Sequence, residues 1–131
     1  MRTSKSKSIF FLMTKEPFLD VYLKKMSAYG DITAKSMFGG YGVYFEGKMF
    51  ALFAEDILYF KVDGETRSYF ESKKQKPFVY FGKPGKPNVM SYYTIPKSAW
   101  KSRTSLIPWI ELAVQASKRA AKKTKTHHED R

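Results

Sequence analysis

Gly39-Gly40-Tyr41-Gly42-Val43-Tyr44-Phe45-Glu46-Gly47-Lys48-Met49-Phe50-Ala51-Leu52-Phe53-Ala54-Glu55-Asp56-Ile57-Leu58-Tyr59-Phe60-Lys61-Val62 is the stretch that decides the fold. It reads as three strands, Gly42–Glu46, Lys48–Ala54 and Leu58–Val62, rich in aromatic and β-branched residues and separated by short links. Glu46-Gly47 is a tight hairpin signal, because Gly supplies the positive φ that such a turn requires. Glu55-Asp56 is a second short link. Parallel strands need crossovers of a dozen residues or more, and these links leave no room for them, so the sheet is antiparallel. Ile32–Phe38 precedes the three strands, while Phe78–Phe81 and Val89–Ile95 follow them. Alternation is poor: Met49 to Ala54 place apolar groups on both faces, so both faces need cover. Helices can supply one side. The other needs barrel-like curling or a second subunit, which is the ground for expecting a homodimer.

Outward from the strands, the chain turns helical on either side. Phe18, Val21, Tyr22, Met26 and Tyr29 recur at helical spacing, with Thr14 as candidate cap, Pro17 in the first turn and Gly30 as stop, giving a helix near residues 15–29. Glu65 to Ser72 reads as a short helix with Tyr69 and Phe70 turned inward. The closing helix has Ser105 as cap, Pro108 in its first turn and Leu106, Ile110, Ala113, Val114 and Ser117 along one stripe. The fold class expected is α+β: a curved antiparallel sheet of about five or six strands flanked by an N-terminal and a C-terminal helix. The domain spans 14–117, between a flexible basic extension at 1–13 and a flexible basic tail at 118–131, where the apolar stripe fades.

The chain carries 24 Lys and Arg against 12 Asp and Glu over 131 residues. Ten of the twelve excess charges sit in residues 1–15 and 97–131, so any pull on nucleic acid acts mainly through the ends. There is no Cys, which removes disulfides, thiolate nucleophiles and Cys-held metals and fits the cytoplasm. The only His residues, His127 and His128, lie in the polar tail, where nothing orients an imidazole for catalysis. No carboxylate pair stands out as an acid and base, so neither enzyme, metal nor cofactor chemistry is expected. No apolar run approaches the roughly 20 residues of a membrane span, and a membrane role is not expected.

Two motifs need weighing. Gly39-Gly40-Tyr41-Gly42 has the glycines of a phosphate cradle, but a strand follows it instead of a helix, so it reads as a turn or bulge where two strands meet. Lys83-Pro84-Gly85-Lys86-Pro87 places cations on a stiff loop before Tyr92 and Tyr93, a combination that holds single-stranded nucleic acid, although Tyr in a strand is more often core. The nucleic-acid-binding candidates are Lys83, Lys86, Lys97, Lys101, Arg103, Lys118, Arg119, Lys122, Lys123 and Lys125.

Met37 to Phe45, Met49-Phe50-Ala51-Leu52-Phe53 and Leu58-Tyr59-Phe60-Lys61 resemble the first block of the N-terminal domain of the TfoX/Sxy regulators. Phe78-Val79-Tyr80 and Met90-Ser91-Tyr92-Tyr93-Thr94-Ile95-Pro96 resemble its second, so the likeness covers about residues 14–117. It implies a curved antiparallel sheet between two helices and a role in regulating competence genes with the cyclic-AMP receptor protein, without catalytic residues. Family members carry a further helical domain, so the likeness is to the N-terminal domain without the C-terminal one. The function expected is a non-enzymatic regulatory, protein-interaction module in the cytoplasm, a homodimer, with a transcription-regulator protein as partner and weak nonspecific DNA binding. The alternative is a direct nucleic-acid binder using the basic loop and tail.

Overall fold

The computed structural model describes the backbone of residues 16–37, 39–83 and 86–129, and their side chains other than those of 81–89 and 123–129. Thr14 and the extension at 1–13 lie outside the described residues. Helix α1 (Pro17–Met26) leads into strands β1 (Ile32–Met37), β2 (Gly40–Phe45), β3 (Lys48–Ala54) and β4 (Ile57–Lys61). A short helix α2 (Arg67–Ser72), strands β5 (Pro77–Lys83) and β6 (Lys86–Tyr93), a 3-10 turn (Lys97–Lys101) and helix α3 (Arg103–Glu129) follow. The six strands form one antiparallel sheet in the order β1-β2-β3-β4-β6-β5. The expected α+β architecture, with a helix at each end of the sequence, is the observed one.

The Glu46-Gly47 link is the anticipated hairpin, with φ of 52° and 79° at its two residues, the left-handed pair of a type I′ turn. In β2 and β3, Val43 pairs with Ala51 but Tyr44 pairs with Met49, so Phe50 is bulged out of the ladder. Phe50 and Ala51 consequently both join the core on the helical side, which is why the strand does not alternate. Phe50 meets Phe60 edge to face at 6.0 Å, and Phe60 meets Trp100 at 6.1 Å. Leu106, Ile110, Ala113 and Val114 of α3 close this layer, as their spacing foretold.

Three local expectations need correction. The inward stripe of α1 is Leu19, Leu23 and Met26, while Phe18 and Val21 face solvent. Leucines at i and i+4 with Met26 at i+7 make the better-packed face, and the competing apolar pair is rotated outward. Tyr69 is exposed rather than inward, because neighbours on a helix are about 100° apart and Phe70 takes the core position. The cap of α3 is Ser102: its Oγ accepts from the Ser105 N–H at 3.1 Å and its carbonyl from the Leu106 N–H at 3.0 Å. Pro108 is then the sixth helical residue, where its missing N–H deprives the Thr104 carbonyl of its usual donor.

The helix does not end with its apolar stripe. Arg119, one turn beyond Val114 and still in α3, donates from Nε and Nη2 to the Asp63 carboxylate at 2.6 and 3.1 Å, tying α3 to the loop after β4.

Candidate functional site

The helical side of the molecule presents the outer face of α1. Phe18 and Val21 are 61% and 52% exposed and lie one turn apart. Lys24 and Lys25 follow in the last turn of the same helix, where cations complement the helix dipole. Across from them stand Lys101, Ser102 and Arg103 at the junction of the 3-10 turn with α3. Together with Trp100 and Leu106 these residues line a basic groove of about 530 Å³. Tyr22, its ring tilted against that of Trp100 at 4.5 Å, holds α1 against the junction and so sets the groove's width.

The nucleic-acid candidates chosen from sequence are scattered by the fold. Lys101 and Arg103 enter the groove, and Lys97 is exposed on the same 3-10 turn. Lys118 lies 3.9 Å from Glu46, and Lys122 is exposed. Arg119 is committed to Asp63 and approaches Glu65 at 3.4 Å, so it is a structural ion pair rather than a member of a basic surface. Lys83 and Lys86 are register partners at the closed end of the β5–β6 hairpin, which shrinks the expected loop because the ladder runs into it. Their side chains, and those of Lys123 and Lys125, lie outside the described residues. Tyr92 and Tyr93 are each 8% exposed, which removes them as stacking platforms. The residues missed from sequence were Lys24 and Lys25, whose only signal was a cationic pair at a helix end.

The opposite face of the sheet is concave. Met37 and Gly40 from the first two strands, Met49 and Leu52 from β3, and Phe78, Tyr80, Met90 and Tyr92 from the last two line one cleft of about 330 Å³. The two edge strands, β1 and β5, share it, so the sheet curls over its own second face. The glycine motif makes this possible. A Cβ on Gly40 would overlap the Phe53 carbonyl oxygen, and one on Gly42 would displace the sulfurs of Met37 and Met49, at 2.8 and 3.0 Å. Two strands therefore approach closely there, as the motif's context indicated. Tyr59 packs on Phe78 at 5.0 Å, and Lys35 and Lys61 lie over the rings of Tyr44 and Tyr92 at 5.1 and 5.0 Å.

The shifted acidities of Asp63, Tyr29, Glu111 and Tyr93 belong to the scaffold. The guanidinium of Arg119 holds Asp63 below the usual carboxylate range. Burial, then the hydrogen bond that its hydroxyl donates to Glu111, pushes Tyr29 up; that bond in turn lowers Glu111. Tyr93 donates to Glu71 at 2.7 Å and is raised by it. Each of these pairs joins two elements of the fold and none opens onto a shared pocket with a nucleophile. Among the described residues no group of three His, Cys, Asp or Glu is placed to hold a metal, and no helix is long and apolar enough to cross a membrane.

A comparison with curated proteins finds no match. The family model of the TfoX N-terminal domain matches residues 24–117, from inside α1, through all six strands, to Ser117 in α3. That match covers the whole curled sheet, the end of α1 and the packed part of α3, well over half of the chain: the chain belongs to the TfoX N-terminal domain family.

Proposed function

We propose that the chain acts without catalysis, as a homodimeric module of transcription control that recognises a partner protein. The family supports the regulatory part of the reading. The exposed pair Phe18 and Val21 on α1 carries the dimer. Two large apolar groups side by side on an outer helix face gain by meeting a second apolar surface. A two-fold antiparallel pairing of α1 sets this pair against its own copy. Light scattering at micromolar concentration is expected to give twice the chain mass. Phe18→Ser combined with Val21→Ser is expected to give a monomer of near-unchanged stability, since exposed substitutions cost within about 0.5 kcal/mol each. A monomeric wild-type protein, or a dimeric variant, overturns the assignment.

A second reading, direct nucleic-acid binding, is favoured by one observation: Lys24, Lys25, Lys101 and Arg103 converge on a single groove. Four cations beside each other suit phosphates. No described helix presents base-reading side chains from this groove, so such binding would be sequence-tolerant.

A further inference from the structure

The cleft on the far face of the sheet has the anatomy of a small-molecule site. Its volume of about 330 Å³ is at the lower end of the range for such sites, roughly 300–1,000 Å³. Its walls are aliphatic, aromatic and thioether, and among the described lining residues the polar side-chain groups are the hydroxyls of Tyr80 and Tyr92. Leu52 and Tyr92 are nearly buried and form a fixed wall. Met37, Met49 and Met90 are unbranched and polarizable, so they can reshape around a guest.

The edge of this cleft is cationic. Lys61 lies over the ring of Tyr92, itself part of the wall, and Lys35 lies over Tyr44, whose partner across the strands is Met49. Neither lysine has a carboxylate within salt-bridge distance among the described residues. The anion whose field reaches Lys61 is Asp63, and that carboxylate is already held by two hydrogen bonds from Arg119. A half-buried ammonium without an anionic partner is costly, and burial accordingly lowers the proton affinity of Lys61. A ligand that brings its own negative charge relieves that cost.

We propose that the cleft binds a small amphipathic carboxylate, its alkyl or aryl body between the methionines and its carboxylate at Lys61. The body gains by leaving water, and the charge is recognised at an ammonium that, among the described residues, has no carboxylate beside it. The site lies on the face of the sheet opposite α1, so it is independent of the dimer surface.

The test is a titration followed on the methionine methyl signals of the labelled full chain, using octanoate and naphthoate, each beside its neutral primary amide. The methyls of Met37, Met49 and Met90 are expected to shift saturably while that of Met26, buried in the helical core, stays. Each carboxylate is expected to bind about tenfold more tightly than its amide, a difference of about 1.4 kcal/mol. Tighter binding of octanoate assigns an alkyl ligand, and tighter binding of naphthoate an aryl one. Lys61→Met is expected to abolish the preference while amide binding stays within about twofold. The acid–amide comparison in the wild-type protein needs no variant to fold. Absence of saturable shifts, shifts that include Met26 equally, or equal affinity for acid and amide would overturn the proposal.

Discussion

Phe50→Ala is expected to lower the free energy of unfolding by about 3–5 kcal/mol, a large share of the roughly 5–15 kcal/mol that holds a domain together. Phe50 is wholly buried, and the bulge in β3 aims it into the cluster of Phe60 and Trp100 beneath α3. Truncation loses the transfer free energy of the ring and leaves a cavity whose walls are strand backbone and packed aromatics, which relax little. Urea unfolding would show the loss as a lower midpoint at near-constant slope. Ile57→Ala, at a half-exposed position of β4, is expected to cost less than about 1 kcal/mol and serves as the contrast. A comparable loss at both positions would mean that the core is not centred where the bulge places it.

Gly40→Ala is expected to cost about 3 kcal/mol or to prevent folding. The methyl group would fall on the Phe53 carbonyl oxygen, which belongs to the neighbouring strand and cannot step aside as a flexible side chain would. The β2–β3 pairing must open, and with it the edge of the cleft. Gly39→Ala separates packing from turn geometry: nothing lies within 4 Å of its Cβ position, but its φ is +76°. That substitution is expected to cost only about 1–2 kcal/mol, the strain of a left-handed residue. Thermal melts of the two variants would rank them. Equal losses would assign the glycine motif to the turn alone.

These two positions show what was legible in the sequence. The hairpin at Glu46-Gly47 could be read because a turn's backbone demand is local, and the glycine motif could be assigned to strand contact because no helix follows it. Phe50 could not be seen as a bulge, since two-against-one pairing is a property of β3 and β2 together and leaves no mark on β3 by itself. The same limit applies to α1. Its sequence holds two apolar stripes, one with Phe18 and Val21 and one with Leu19 and Leu23, and only the sheet beneath decides which is inside. Ser102 and Ser105 are alike as caps until the extended backbone at Ser102 is known.

The candidate surfaces were less legible than the fold, for the same reason. Arg119 counted as one more tail cation, yet its partner Asp63 lies 56 residues away in the sequence. Lys24 and Lys25 meet Lys101 and Arg103 only because Tyr22 docks on Trp100. The far-face cleft was foreshadowed by the two-sided strands, which required either curling or a second subunit. Curling supplies part of that cover, so the proposed dimer rests on α1 instead.

Protein recognition, rather than contact with nucleic acid, is the means by which we propose that this domain regulates. The direct test is affinity capture of the full chain from its native cells, with and without nuclease. Association with a partner protein that survives nuclease treatment is the predicted result; association that disappears with the nucleic acid would contradict it and leave the basic groove as the working surface.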